Sequence, residues 1–316
     1  MGCPYSGNSS PSSSSPSAQP PPGALPNVNP HLQSEDMPQL RHVNLTYGSY
    51  LKVPELLELQ TPLSVPAHHD ELLFIISHQV YELWFKQMLH DLHGVCEHLD
   101  SDEPLKAVQL LDRVHKIQNL LIEQIPLLET MFSTDFAKFR DNLRPASGFQ
   151  SVQFRKVEFL LGAKNPRILD LVGDDDAARQ EMAKYLAVPT PYDHFVAHLA
   201  REDHGRFHIP ESALKRNTGL PHELNPEMVK SLATLYKAPY DKTLAVNERY
   251  WPQFVVAEAL LTVEEKMSIW RFHHVKMVER MIGFGGGTGG SSGAKYLRQT
   301  LEAQLYPDLW AVRTSF

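Results

Sequence analysis

Two long stretches of the chain repeat apolar residues every three or four positions. They are DELLFIISHQVYELWFKQMLHDLHGVCEHL (70–99) and LKAVQLLDRVHKIQNLLIEQIPLLETMF (105–132). That spacing places the apolar side chains on one face of an α-helix, whereas a half-buried strand alternates with a period of two. Shorter stretches with the same spacing predict further helices at 133–143, 150–162, 177–187, 191–200, 226–235, 246–260 and 263–282. No series of alternating strand patterns occurs, so the sequence predicts an all-α fold.

The beginning of the chain differs in composition from the rest. Residues 1–38 are dominated by Ser and Pro and cannot bury enough apolar surface to offset the entropy of ordering. We therefore expect a disordered tail over 1–44 and one helical domain over 45–316, in which 201–225 is a loop. The first residues, MGCPYS, also fit the N-myristoylation pattern with Cys3 beside it, although a tail without function is the preferred interpretation.

Charge and cysteine content narrow the classes of partner. A net charge of −7 argues against nucleic acid or an acidic membrane surface as the main partner. No apolar run is long enough to span a bilayer, and no signal segment is recognisable, so we expect a cytoplasmic protein.

Cys3 and Cys96 lie far apart and form no disulfide framework, which suits a reducing compartment. Without a C-x-x-C-H motif, any heme would be held non-covalently.

The segment 263–282 has the residues typical of a helix start and a helix end. Thr262 and Glu265 form a capping-box pattern at its start, and Gly283 stands where a glycine commonly follows a helix. Its apolar stripe runs through Met267, Trp270, His274, Met277, Val278 and Met281, with His274 at the centre. A buried histidine is more often a hydrogen-bonded core residue than a metal ligand, and this pattern leaves both interpretations open.

Two pairs of residues, each separated by four positions, place an aromatic ring beside a polar group. Phe74 and His78 share one helix face, and Phe136 and Arg140 share another. A guanidinium suits a carboxylate, so the pairs outline a pocket for an aromatic molecule that carries one. Core aromatics beside a surface arginine and a hydrogen-bonded histidine are the commoner arrangement, and the pairs alone do not displace that interpretation.

Other polar clusters carry weaker signals. The buried amides and arginine expected at Gln150, Gln153 and Arg155 predict a polar network or a subunit contact. Two histidine clusters lack the convergent ligands of a zinc site and are interpreted as solvated helix faces; they comprise His90, His93, Cys96 and His98, and His194 with His198.

A glycine-rich run interrupts the helical pattern near the end of the chain, as MIGFGGGTGGSSGAKYL (281–297). It follows a helix rather than a strand and lacks Gly-Lys-Ser/Thr, so it is neither a dinucleotide fingerprint nor a P-loop. The remaining interpretation is a flexible backbone containing Thr288, with exposed amides before a helix near Ala294, an arrangement that suits an anion such as a carboxylate.

Five segments together resemble the tryptophan 2,3-dioxygenase family of heme enzymes. They cover the range 45–316 in the family's order and are LTYGSYL (45–51), HHDELLFIISHQVYELWFKQ (68–87), FRDNLRPASGFQSVQFR (139–155), WRFHHVKMVERMIG (270–283) and GTGGSSGAKYLRQTL (287–301). The resemblance implies a helical homotetramer with one heme b per subunit, which uses O2 to cleave the C2–C3 bond of L-tryptophan and gives N-formylkynurenine in tryptophan catabolism.

The resemblance also implies a role for individual residues. His274 matches the proximal ligand of the heme iron, and His78 matches the distal histidine that hydrogen-bonds the indole nitrogen and positions it. Arg140 matches the residue that clamps the substrate carboxylate. The other implied substrate contacts are Phe74, Phe136, Thr288 and, from a neighbouring subunit, Tyr47 and Tyr50. The implied heme-binding residues are Ser147, Gly148 and Trp270.

The sequence is also compatible with two alternative functions. Family loops usually carry a basic residue shortly before Gly-Thr-Gly-Gly, where this chain has Gly285 and Gly286. A less charged loop could admit a modified tryptophan, and a monooxygenase relative would insert one oxygen atom to give a 2-oxindole. A heme-binding sensor or carrier without turnover is the alternative from another class, and it would not need Arg140 or Thr288.

Overall fold

The computed structural model describes residues 45–171, 176–202, 205–240, 250–283, 285–287 and 294–315. These residues divide into two units, 45–57 and 58–315. The first unit contains two short helices, α1 (Tyr47–Leu51) and α2 (Val53–Leu57). Thr46 begins α1 by accepting the Ser49 N–H at 3.2 Å, and Ser49 returns a capping contact to the Thr46 backbone. No side chain of either helix is buried within the unit.

The second unit consists of helices joined by turns and irregular segments, and its described residues contain no strand. Its helices are α3 (His69–Asp100), α4 (Pro104–Leu128), α5 (Ser133–Arg140), α6 (Val152–Leu161), α7 (Asp176–Ala187), α8 (Pro191–Glu202), α9 (Glu211–Leu214), α10 (Pro226–Lys237), α11 (Trp251–Ile282), α12 (Ala294–Gln299) and α13 (Pro307–Ala311). The prediction of an all-α fold is confirmed. None of these helices is long and apolar enough to cross a membrane.

Helix α4 lies at the centre of the unit and packs most extensively against α3 and α11. The three-to-four-residue spacing read from the sequence is the reason, since it places one side of each long helix in a common core. Met88 and Leu92 on α3 and Leu111 on α4 have no exposed surface. A fully buried side chain of this kind contributes roughly 1.5–3 kcal/mol relative to an exposed one.

The prediction of two helices at 246–260 and 263–282 is wrong. A single helix of 32 residues, α11, runs from Trp251 to Ile282. Thr262 does not cap a helix; its hydroxyl donates to the Glu258 carbonyl one turn earlier at 2.9 Å, a bond that a threonine inside a helix readily forms. Gln118 on α4 reinforces this turn by donating to the Val263 carbonyl at 2.9 Å. The predicted end is confirmed, because Gly283 follows α11 with φ 58°.

Other predicted boundaries need smaller corrections. The stretch 201–225 is not wholly loop, since it contains α9. Helix α4 runs through Pro126 and ends at Leu128 rather than at 132. Helix α5 ends at Arg140 and continues as a 3-10 turn over Asp141–Leu143.

The predicted solvated histidine faces are partly buried. His198 is 1% exposed and contacts Asp102 at 2.9 Å through Nδ1. His194 contacts Asp100 at 2.7 Å, and Cys96 is a free, buried thiol. These groups join α8 to the end of α3 and the turn that follows it. Across the described parts of the chain, no three His, Cys, Asp or Glu side chains converge as a metal site.

Candidate active site

A cavity of about 290 Å³ opens between α3, α5 and α11, beside the segment that precedes α6. Most residues predicted for the site line this one cavity. They are Phe74, His78, Phe136, Arg140, Ser147, Gly148, Trp270 and His274. These eight residues, which are spread along the chain from Phe74 to His274, therefore lie around one cavity, and most of its remaining wall is apolar.

His274 faces the cavity from the C-terminal third of α11. The ring of Trp270, one helical turn earlier, lies nearly parallel to the imidazole at 12° with 5.1 Å between ring centroids, so the two rings stack. Burial lowers the pKa of His274 to about 4, which keeps the imidazole neutral near pH 7. None of the described residues forms a hydrogen bond with it. A neutral imidazole without a protein partner is free to ligate a metal ion.

His78 faces the same cavity from α3. Its Nδ1 lies 2.7 Å from the carbonyl oxygen of Phe74. Because a carbonyl can only accept, Nδ1 carries the proton in the neutral ring and Nε2 is left as an acceptor. Enclosure by the surrounding protein lowers the pKa of His78, although the Phe74 carbonyl and the Glu82 carboxylate act in the opposite direction. His78 can thus receive a hydrogen bond from a ligand N–H.

Aromatic rings form a wall beside His78. Phe74 and Phe136 stack with their centroids 5.7 Å apart, and Phe74 contacts the His78 ring at 4.1 Å. Phe139, fully buried, meets both phenylalanines edge-on at 5.8 and 5.4 Å. The rings of Phe74 and Phe136 are therefore held in place from behind, and their faces suit a flat aromatic ligand.

Arg140 ends α5 at the mouth of the cavity. Its guanidinium donates to the backbone carbonyl of Gly286. Neighbouring cations pair with acids: Arg144 lies 3.3 Å from Asp141, and Lys138 lies 2.7 Å from Asp135. Among the described residues, Arg140 has no such acidic partner. A guanidinium that meets only a neutral carbonyl retains its full charge for a carboxylate ligand.

A polar layer that the sequence analysis did not assign to the site also lines the cavity. Glu158 on α6 accepts from Arg155 and, at 3.0 Å, from Arg271 on α11. Two guanidiniums share one buried carboxylate, so the layer carries one net positive charge. The predicted network around Arg155 is present, and its signal was the Arg-Lys-Val-Glu spacing of three on α6.

Glu82 is a second residue that the sequence analysis missed. It accepts from Gln153 at 2.9 Å and from the Ser151 hydroxyl, so it ties α3 to the start of α6. Its position four residues after His78, on the same helix face, was the available signal. Gln150, by contrast, is exposed and only caps the turn at Ser147.

Three predicted substrate contacts are not placed at the cavity. Thr288 lies outside the described residues. Tyr47 and Tyr50 lie on α1 in the separate unit 45–57, where their side chains are 78% and 71% exposed. Their assignments stay predictions.

A second cavity, of about 350 Å³, lies beside α8 and α9 and is lined by charged residues that pair with one another. Asp193 accepts from Arg216 at 2.8 Å, and Tyr192 donates to Asp308 at 3.1 Å. His222 shares a contact of 3.0 Å with the Thr190 hydroxyl. These side chains are therefore already hydrogen-bonded to one another within the fold.

We expect the free energy of unfolding to fall as the pH is lowered from about 6.5 toward 4. Burial lowers the pKa of His222 from 6.5 to about 4. As the pH falls, the unfolded chain binds this proton at a higher pH than the folded chain does. The free energy of unfolding therefore keeps its full value above pH 6.5 and decreases as the pH falls toward 4. Urea unfolding at pH 7 and 4.5 should show a smaller pH effect in His222→Gln; an equal effect would contradict this origin.

Sequence similarity to known proteins identifies the family of this chain. The family described as Tryptophan 2,3-dioxygenase matches residues 33–223 and 240–316. The chain is 42% identical over 270 residues to the tryptophan 2,3-dioxygenase of Kineococcus radiotolerans, covering 85% of this chain and 91% of that one. It is 42% identical over 283 residues to that of Saccharopolyspora erythraea, covering 90% and 96%. The corresponding protein of Serratia proteamaculans is 40% identical over 270 residues, 85% of this chain and 92% of its own. The chain belongs to the tryptophan 2,3-dioxygenase family and is an oxygenase.

Proposed function

We propose that this chain is a heme-dependent enzyme that oxidises the indole ring of L-tryptophan with O2, cleaving the C2–C3 bond to give N-formylkynurenine. Family membership supports the reaction. The observation that carries the proposal is a single cavity that combines a neutral imidazole, an aromatic wall and an arginine, where neither the imidazole nor the arginine pairs with an acidic side chain of the described residues. An aromatic amino acid offers the complementary ring and carboxylate.

The donor set of the cavity fits heme b. His274 would hold the heme iron through its neutral imidazole nitrogen, and the parallel ring of Trp270 would fix the orientation of that imidazole. Ser147, Gly148 and Trp270 are proposed to contact the macrocycle. The net positive charge of the Arg155–Glu158–Arg271 layer suits an anionic cofactor. When bound, heme supplies the dioxygen chemistry that amino-acid side chains lack.

The protein's own residues would bind and orient the substrate. His78, with its proton fixed on Nδ1, accepts the indole N–H at Nε2, so it positions the ring without acting as an obligatory base. Phe74 and Phe136 hold the indole by their faces, and Arg140 receives the carboxylate. Thr288 is proposed to contact the amino-acid end, and Tyr47 and Tyr50 a neighbouring subunit's pocket. Holding the reacting ring in one orientation removes much of the entropic cost of reaction.

Counting the oxygen atoms in the product tests the reaction. We expect enzyme reduced without oxygen, then given L-tryptophan and isotopically labelled dioxygen, to place two labelled atoms in one N-formylkynurenine, as mass spectrometry would record. One labelled atom in a 2-oxindole would support the monooxygenase alternative, which the relatives' names do not favour. No product from a heme-loaded protein would indicate a sensor or carrier.

We also propose a homotetramer, supported by exposed apolar side chains on helix faces turned away from the cavity. Leu72, Ile76 and Leu83 share one face of α3 and are 44%, 42% and 54% exposed. Leu120 and Leu127 share a face of α4 and are 44% and 49% exposed. Several large apolar side chains exposed on one helix face of a folded protein are typical of a protein interface.

Ile76→Glu is expected to dissociate the assembly, because burying an unpaired carboxylate at an interface costs several kcal/mol. Light scattering should report about four times the chain mass of 35.8 kDa for the parent protein and a smaller mass for the variant. Leu214→Glu, at an exposed leucine on α9, is the matched control and should keep the parent mass. A tetrameric Ile76→Glu protein would exclude this face as the interface.

The proposed organisation assigns catalysis to 45–316, and the predicted tail over 1–44 lies outside the described residues. A cytoplasmic location is proposed with it, because the free thiol of Cys96 suits a reducing compartment.

A further inference from the structure

We propose that the backbone carbonyl of Gly286 is an internal competitor of the substrate: it occupies the Arg140 guanidinium in the free enzyme, and a carboxylate has to replace it. This inference rests on the proposed function, since Arg140 is the proposed carboxylate clamp. It adds an inhibitory contact, made by this chain's own loop, that sets the affinity for the substrate.

The contact joins two segments that are distant along the chain. Arg140 is the last residue of α5, and Gly286 lies three residues beyond the glycine that follows α11. The guanidinium NH2 group donates to the carbonyl of Gly286, while no acidic side chain of the described residues competes for it. The neighbouring Gly287 lines the cavity together with Arg140. The loop backbone therefore stands where a ligand's carboxylate would enter.

The backbone before Gly286 is tied to the end of α11. The Gly283 N–H donates to the Glu279 carbonyl at 2.9 Å, and the Gly285 N–H donates to the Ile282 carbonyl at 3.0 Å. A Cβ added at Gly285 would lie 3.0 Å from that same carbonyl oxygen, a distance that forces one of the two atoms to move. A side chain at 285 therefore shifts the turn that directs the Gly286 carbonyl toward Arg140 by a few tenths of an ångström.

A carboxylate can displace this carbonyl, and a ligand without one cannot. Hydrogen bonds from a guanidinium to a carboxylate are charge-assisted and often bidentate, and they are roughly twice as strong as those to a neutral acceptor. Tryptophan therefore gains by replacing Gly286, whereas tryptamine leaves the internal contact in place. Only molecules in which Arg140 is free can bind the carboxylate. The apparent dissociation constant for tryptophan therefore equals the intrinsic one divided by the fraction of such molecules.

Gly285→Ala tests the inference in the heme-loaded enzyme. Equilibrium titrations without oxygen should give a dissociation constant for L-tryptophan about 2- to 10-fold lower than in the parent, the range expected for loss of one competing neutral hydrogen bond. The dissociation constant for tryptamine should not change. In the double variant Arg140→Leu with Gly285→Ala, the gain for tryptophan should vanish relative to Arg140→Leu alone.

Unchanged or weaker tryptophan binding in Gly285→Ala would overturn the inference, as would an equal gain for tryptamine. The result is separable from the proposed function. A parent enzyme that binds neither ligand would overturn both, whereas a parent that binds tryptophan and a variant without the gain would overturn only the competition.

Discussion

Replacing His274 with alanine is expected to cost the protein most of its heme. Loss of partners that merely orient a metal ligand lowers metal affinity by about 10- to 100-fold, so loss of the ligand itself should cost at least about 100-fold. The imidazole faces the cavity and is neutral, and no other histidine on α11 lines that cavity. The absorption spectrum of the purified variant should lack the Soret band and the ferrous–CO band of the parent.

His273→Ala is the matched control, because His273 is the adjacent residue of the same helix and is exposed. It should retain heme and activity. Normal heme content and normal CO binding in His274→Ala would refute the assignment of His274 as the iron ligand. Comparable heme loss in both variants would point to damage of α11 rather than to a lost ligand.

Replacing Arg140 with leucine is expected to lower kcat/KM for L-tryptophan by about 10- to 200-fold. The range corresponds to the roughly 1.5–3 kcal/mol typical of hydrogen bonds to charged groups. Tryptamine has no carboxylate, so its binding should change little, and the discrimination between the two ligands should collapse. Steady-state kinetics with tryptophan and anaerobic titration with both ligands measure these quantities.

Arg144→Leu provides the same chemical change four residues later. Arg144 is exposed and pairs with Asp141 at 3.3 Å, so the loss of its charge should leave tryptophan kinetics close to those of the parent. If Arg140→Leu preserves the discrimination between tryptophan and tryptamine, Arg140 is not the carboxylate clamp. If both arginine variants lose activity equally, a general electrostatic effect of α5 and its following turn would explain the result.

The sequence predicts those parts of the site that follow from helix periodicity. Phe74 with His78, and Phe136 with Arg140, share helix faces because their spacing is four, and the structure places all four at the cavity. The apolar stripe through His274 likewise becomes a cavity wall. Local spacing cannot show that three separate helices converge, and only the resemblance supplied that step. Their convergence depends on contacts between α3, α4 and α11 that are distant along the chain.

Two errors show where local patterns mislead. Thr262 and Glu265 have the spacing of a capping box, but a capping box needs a free helix end, and packing against α4 carries α11 through this point. Glu82 and Glu158 were missed because a carboxylate in a helix is ordinarily solvated. Their partners, Gln153 and Arg271, come from other helices and are visible only in three dimensions.

Because α11 is continuous, the direction of the His274 imidazole depends on the number of residues that precede it in the helix. An α-helix turns by about 100° per residue, so one residue inserted between Val263 and Phe272 would rotate every later side chain by that angle and put His273, instead of His274, in the position that faces the cavity. An insertion of a whole turn would nearly restore the angle but slide the imidazole by about 5.4 Å along the axis. We therefore expect homologues to differ in length within the loops and not within α11.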